Sequence, residues 1–372
     1  MKILTLTPWY PNPENKGAGI FVKEQMSVIA KYGNHDVFVI APFSSNKIVQ
    51  INVNKVEFEK GSLTEVLVPY KIEKTIFDKF LKRKSAIKKG FAELNFKPDL
   101  FHVHEYQMVP IAKSKSLISN IPIILTEHSS TLSSNLGMKK YLARRSFKGA
   151  NIVIAVSAYQ RDRILSIEPH ANVRIVNNFV DDIFLTANKI KRDDNLIKII
   201  SVGSLIEKKG FSLLISALAS LEEKFTLTIV GDGPQKEELK ALVKELKLED
   251  RVIFTGALDK EGVVKNLSES DIFVSASKIE TFGIAILEAL AVGLPVVTYD
   301  NGGIRDFMKD FCGVIVDNYT SDAFAKAINF LIQNISKYNS LAIKNYIIDN
   351  FSEKVFIQKV EGIYSEIMSD GK

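Results

Sequence analysis

The chain has 372 residues, 46% of them apolar and 25% charged, with a formal charge of +6. That balance excludes a disordered or fibrous chain and, at this length, points to two domains of ordinary size. No run reaches the roughly 18–20 consecutive apolar residues of a spanning helix, and the single cysteine, Cys312, excludes an intramolecular disulfide and a multi-cysteine metal site.

Residues 1–8 form too short an apolar run for a signal peptide and read as a first strand, so a cytoplasmic location is expected. From there, short β-rich runs alternate with longer helical stretches. The first series covers residues 2–7, 36–41, 100–104, 121–127, 152–156 and 173–176. The second covers 197–202, 225–230, 251–255, 271–275, 295–299 and 313–316. Several are nearly all apolar, as strands covered on both faces should be, and the alternation argues for parallel sheets with helical crossovers.

Three other stretches stand out. Between Tyr70 and Glu93, Lys71, Lys74, Lys79, Lys82, Arg83, Lys84, Lys88 and Lys89 interleave with Ile72, Ile76, Phe77, Phe80, Leu81, Ile87 and Phe91 at helical spacing. Such a basic helix either lies on an anionic membrane surface or turns its apolar stripe to its own domain. No nucleic-acid motif accompanies it, so nucleic acid is not an expected partner. Residues 186–196 are polar and charged, a linker pattern. They divide the chain into residues 1–186, 187–350 and a last helix, 351–372, able to pack back on the first domain. Two doubly wound, Rossmann-like α/β domains facing across a cleft are expected, with ligands beyond the carboxyl ends of the strands.

The chemistry concentrates in residues 271–300. A buried strand leads into the loop Ala276-Ser-Lys-Ile-Glu-Thr-Phe-Gly283, and residues 284–292 read as a helix. Gly293 suits the left-handed residue after it, and Pro295 opens the next strand. The amides of Phe282, Gly283 and Ile284 fall at the helix start, where free donors and the helix dipole attract a diphosphate. Glu280 in the loop is placed to hold sugar hydroxyls, and Glu288 in the helix to hold a ribose diol.

This run, Glu280 to Glu288 followed by Ala289 to Val297, closely resembles the E-x7-E segment of the retaining GT4 glycosyltransferases of GT-B fold. Other blocks match in order: Gly17-Ala-Gly19 with the N-terminal glycine loop, Val176-Asn-Asn-Phe179-Val-Asp181 with the interdomain motif, Val202-Gly203-Ser204 to Lys209-Gly210, Val230-Gly-Asp232-Gly-Pro234, and Gly302-Gly303. The resemblance spans nearly the whole chain. It implies transfer of a sugar from a UDP- or GDP-linked nucleoside diphosphate to a glycan or lipid-linked acceptor of surface polysaccharide or glycolipid. It also implies retention of configuration, with no metal and no other cofactor.

Residue by residue, Lys209 would neutralise the departing diphosphate, Glu280 bind the donor sugar and Glu288 the ribose. Gly203 and Ser204 would line the phosphates, the Gly256–Leu258 backbone would meet the base, and Gly17 and Gly19 would let the N-terminal loop close on the ligand. His128, in Thr126-Glu127-His128, matches a histidine beside the transferred sugar. The family has arginine where Ser204 stands; serine supplies no charge, so either Lys208 or a cation of the first domain compensates, or donor affinity is lower. Phe179 replaces a glycine, a milder change.

Plain structural readings stand beside these: Lys209 as surface charge next to Lys208, Glu288 as a solvated helix residue, His128 as a loop histidine, Asp232 as a turn residue. Ser157 reads as a helix cap. His102 and His104 alternate along one strand and are expected on opposite faces, with His104 the one toward the cleft. A sugar-nucleotide epimerase of the same fold and a non-catalytic nucleotide-sugar-binding protein are the alternatives. A nicotinamide dehydrogenase would need G-x-G-x-x-G after the first strand, which Thr7-Pro-Trp-Tyr-Pro-Asn-Pro13 does not supply.

Overall fold

The computed structural model describes residues 1–71, 75–114, 117, 120–129, 137–190, 196–221 and 224–369. Ile72, Lys74, the side chains of Ile76 and Phe77, residues 191–195 of the linker pattern and residues 370–372 lie outside that set. The chain forms two compact units, Met1–Val176 with Ile357–Lys372, and Asn177–Phe356. The division thus falls earlier than residue 186. Val180 donates from its amide to the Phe351 carbonyl at 2.8 Å, and the helix Asp182–Thr186 buries Phe184 and Leu185 within the second unit.

In the first unit the strands are β1 (Lys2–Leu6), β2 (Asp36–Ser44), β3 (Asn52–Glu57), β4 (Ser62–Tyr70), β5 (Leu100–His104), β6 (Ile123–Glu127), β7 (Ile152–Ala155) and β8 (Val173–Ile175). They lie in the order β3-β4-β2-β1-β5-β6-β7-β8. In the second they are β9 (Ile197–Val202), β10 (Phe225–Val230), β11 (Val252–Gly256), β12 (Ile272–Ser275), β13 (Val296–Tyr299) and β14 (Gly313–Val316), in the order β11-β10-β9-β12-β13-β14. All pairs are parallel except β3 with β4. In each sheet the order reverses beside the first strand, between β1 and β5 and between β9 and β12. Open α/β sheets bind ligands just beyond the carboxyl ends at such a reversal. The loops after β1, β5, β9 and β12 therefore stand where such folds hold their ligands.

Each run read from the sequence is a strand, with ends displaced by a few residues. The β3–β4 hairpin is an addition. β3 is exposed along its whole length, so no buried face marks it. β4 is largely buried yet carries Glu65. That carboxylate accepts from Tyr10 Oη at 2.6 Å and Asn54 Nδ2 at 2.9 Å, and pairs with Lys23 Nζ at 3.0 Å, partners that make its burial tolerable.

The basic stretch is the helix Ile76–Ala92, with Thr75 accepting from the Asp78 amide as its cap. Ala86 and Ile87 belong to the first unit's core, and Phe80 and Phe91 pack against it. A Cβ on Gly90 would come within 2.8 Å of Val68 and 2.9 Å of Ile40, so glycine lets the helix approach β2 and β4 closely. Phe80, Ile87 and Phe91 of the apolar stripe therefore face their own unit, while Leu81 of the same stripe and Lys79, Lys82, Lys88 and Lys89 remain exposed. Among the described residues, no helix is long and apolar enough to cross a membrane.

Candidate active site

The second unit carries the clearest constellation. The loop after β12 brings Glu280 into a parallel bridge with Gly302. The Gly302-Gly303 turn fits closely: a Cβ on Gly303 would stand 2.5 Å from the Thr281 carbonyl carbon. The helix Ile284–Val292 follows, with Gly283 at φ 94° before it and Gly293 at φ 89° after it, both left-handed. No side chain caps its start, so its first amides and the positive end of its dipole are available to an anion. Buried Phe282 fixes the entry by ring contact with Phe307 at 5.2 Å and Phe351 at 6.1 Å. Glu288 lies half-buried on this helix.

Lys209 ends the short turn Glu207–Lys209, and Gly210 at φ 69° closes it. A Cβ on Gly210 would come within 2.2 Å of the Ala276 carbonyl oxygen, so only glycine seats this turn on the loop after β12. The Lys278 amide adds a bond to the Lys208 carbonyl at 2.9 Å. As a result Lys209 Nζ and the Glu280 carboxylate form an ion pair, with 23% and 17% of their side chains exposed. Sequence reading assigned the two to different parts of a ligand; the structure brings them into direct contact.

The loop after β9 lies against the same pair. A Cβ on Gly203 would be 3.8 Å from Lys209 Cδ, and one on Gly231 only 1.9 Å from the Gly203 carbonyl oxygen. The Val230-to-Pro234 block thus serves close backbone packing. Asp232 fits its plain reading, accepting from the Gly233 amide at 2.8 Å and pairing with Lys236 at 2.9 Å. Ser204 and Lys208 are exposed. Gly256, at φ 78°, has open space where a Cβ would be, and Leu258 beyond it is 38% exposed.

The sequence pattern described as Glycosyl transferases group 1 matches residues 182–346, and that of Glycosyltransferase Family 4 matches residues 16–183. The chain belongs to the GT4 family of glycosyltransferases. It is similar to a lipopolysaccharide core biosynthesis glycosyltransferase of Rhizobium meliloti, with 28% identity over 54% of this chain and 59% of that protein. It is also similar to the N-acetyl-alpha-D-glucosaminyl L-malate synthase of Bacillus anthracis, with 24% identity over 97% of this chain and 96% of that one. Among solved structures, a sucrose-phosphate synthase of Thermosynechococcus elongatus superposes with a TM-score of 0.84 at 18% identity, covering 100% of both chains. The fold is GT-B, two Rossmann-like units in one chain.

The glycosyltransferase's first unit places its own candidates at the reversal between β1 and β5. After β1, Thr7 Oγ1 donates to the Trp9 carbonyl at 2.8 Å. Gly19 at φ 60° packs where a Cβ would lie 2.3 Å from that same oxygen, and the helix Ile20–Tyr32 begins there. Gly17 donates to Asn15 Oδ1 at 3.1 Å. The glycines therefore fold this loop back on Trp9.

His128 follows β6 and is buried. Its Nε2 lies 2.9 Å from His104 Nδ1. His102 and His104 do not point to opposite faces. Their rings stack at 4.9 Å, because side chains alternate residue by residue along a strand and residues two apart share a face. His102 bonds Tyr364 Oη through Nδ1 at 2.7 Å and Thr126 Oγ1 through Nε2 at 2.7 Å. Burial pushes His102 and His128 down to about 3, and His104 well below its ordinary value, so all three are neutral imidazoles near pH 7.

Two buried carboxyls beside them, Glu105 and Glu127, were marked by no sequence signal. Glu127 accepts from the amides of Ser129 at 2.7 Å, Tyr106 at 3.0 Å and His128 at 3.1 Å, tying down the loop that carries His128. Burial pushes both carboxyls up, and the charge of Glu127 raises Glu105 further. Ser157 caps its helix as read, accepting from the Gln160 amide at 3.1 Å. Among the described residues, no three His, Cys, Asp or Glu side chains are grouped to hold a metal ion.

Proposed function

We propose that this glycosyltransferase takes a sugar from a UDP- or GDP-linked donor and passes it, with retention of configuration, to a glycan or lipid-linked acceptor. The observation that carries the reading is the Lys209–Glu280 ion pair beside the uncapped helix start after Gly283. A diphosphate arriving there offers Lys209 a better partner, with two phosphates and the first helix amides around one ammonium. Lys209 then leaves Glu280, and the freed carboxylate accepts hydroxyls of the donor sugar. Glu288 holds the ribose, and Gly203, Ser204 and the Gly256–Leu258 backbone line the phosphates and base. Exposed Lys208 supplies the charge that Ser204 lacks.

Transfer proceeds on one face of the sugar. The acceptor oxygen bonds to the anomeric carbon as its bond to the diphosphate breaks, and the acceptor proton passes to a diphosphate oxygen. Stabilising the leaving diphosphate is the main electrostatic contribution. Because Lys209 and the helix terminus provide that charge, neither metal nor other cofactor is required. Glu280 and Glu288 do not act as the acid–base pair of a glycosidase.

The lipopolysaccharide-building relative supports a surface glycan or glycolipid acceptor. The exposed lysines of the helix Ile76–Ala92 support work at the cytoplasmic face of an anionic membrane. Since Phe80, Ile87 and Phe91 pack on their own unit, that contact is mainly electrostatic. The decisive experiment assays transfer from a panel of nucleotide sugars in EDTA. Glu280→Ala should lower turnover by about a thousandfold or more while the fold survives. Unchanged turnover in the variant, a strict need for added metal, or donor binding without any transfer would each overturn the reading.

A further inference from the structure

We propose that His104 is a positioning residue that holds His128 as its Nδ1–H tautomer, so that His128 meets its ligand as a hydrogen-bond donor and not as a base. The nature of that ligand rests on the glycosyl-transfer reading; the tautomer does not.

Between His104 Nδ1 and His128 Nε2, at 2.9 Å, lies one proton. It belongs to one nitrogen or the other. If His128 Nε2 carried it, neutral His104 would have to carry its own proton on Nε2. That nitrogen is buried and has no hydrogen-bond partner among the described residues. A buried N–H without an acceptor is rarer and costlier than a buried lone pair without a donor. The proton therefore sits on His104 Nδ1 and is donated to His128 Nε2, leaving His104 Nε2 bare. Neutral His128 then carries its single proton on Nδ1.

The surroundings hold this arrangement in place. The rings of His104 and His128 lie within 4° of parallel with centroids 5.2 Å apart, and Phe21 stands 4.6 Å from the His128 ring. His102 stacks on His104 and is itself fixed between Tyr364 Oη and Thr126 Oγ1. The desolvation that keeps the imidazoles neutral also keeps the proton count at one per ring. A ligand that reaches His128 Nδ1 meets a donor there, which suits a sugar hydroxyl or phosphate oxygen. That N–H cannot take the acceptor's proton, which fits a phosphate oxygen as the base.

Nitrogen NMR of the full chain labelled with 15N-histidine tests this, with His128→Gln used to assign the His128 signals. The expected pattern near pH 7.5 is a protonated Nδ1 and a bare Nε2 on His128. His104→Asn places an amide N–H where Nδ1–H stood and should keep both the pattern and turnover within about threefold. His104→Leu removes the donor; the Nε2–H form of His128 should appear and turnover fall about tenfold, with donor KM changing less. An Nε2–H tautomer in the unmodified chain overturns the proposal even if His104→Leu fails to fold. So does a His128 tautomer that His104→Leu leaves unchanged. If the tautomer responds as stated while neither His104→Leu nor His128→Gln alters turnover, the assignment of His104 stands and the place of His128 in transfer falls.

Discussion

Lys209 and Glu280 in the second unit face each other as full charges with about a fifth of each side chain exposed. His102, His104 and His128 in the first unit are buried, neutral and joined by short hydrogen bonds and stacked rings. The first arrangement is made to be exchanged: partly hydrated charges give up one partner for another at modest cost. The second is made to stay, because a buried polar network loses several partners at once if one member moves. In the proposed function the exchangeable pair receives the donor diphosphate, and the fixed cluster presents His128 in one orientation.

The charged pair is most sensitive at Lys209. Lys209→Met should lower kcat/KM for the donor by about 10²–10³-fold, the cost of losing one group that stabilises the leaving charge. Lys209→Arg should not restore it fully, since a planar fork does not replace a point charge in a turn closed by Gly210. Steady-state kinetics with a matched nucleotide sugar decides, and a wild-type value for Lys209→Met removes the charged half of the contrast.

The buried half is tested by acid. His102 has its folded pKa pushed down to about 3 against about 6.5 when unfolded. Below pH 6.5 the unfolded chain binds the extra proton, so the stability contributed is present above about 6.5 and is lost as pH falls toward 3. At pH 5 the loss amounts to about 2 kcal/mol for one such histidine. Glu105 and Glu127, with raised values, work in the opposite direction, which is why the slope of a variant is needed. In denaturant titrations at pH 7.5 and 5.0, His102→Phe should lose about 2 kcal/mol less than the unmodified chain on acidification. Parallel losses would show that the imidazole is hydrated.

The smallest effect belongs to the surface. Lys88, exposed on the helix Ile76–Ala92, should contribute about 1 kcal/mol, or about fivefold, to binding of vesicles rich in phosphatidylglycerol. Lys88→Ala should bind them that much more weakly in co-sedimentation and show no difference on zwitterionic vesicles. Equal binding to the anionic vesicles would leave the helix as packing alone.

The second unit's candidate site was legible because it is written almost contiguously. From Ser275 to Gly293 the chain reads strand, loop, glycine, helix, glycine, and the structure places Gly283 and Gly293 at the left-handed positions those roles require. The first unit's site was not. His104 ends β5, His128 follows the neighbouring β6, and Tyr364 lies on the helix Glu353–Ser369. His102 and His104, two residues apart on one strand, share a face and stack, so both belong to the same cluster. The β3–β4 hairpin escaped for a different reason: one strand is wholly exposed, and the other hides a carboxylate whose partners, Tyr10, Lys23 and Asn54, only the fold supplies.

Local order along the chain determined the strands, the glycine-bounded helix after Glu280, the family and the residue types of the candidate donor site. Backbone conformation and hydrophobic pattern are short-range properties, and residues a few positions apart carry them. Tertiary structure alone decided that Lys209 answers Glu280, that Phe80, Ile87 and Phe91 of the basic helix turn inward, and that three histidines stack in one buried cluster. Those are facts about distance and dielectric between residues far apart in sequence, and a linear pattern encodes neither.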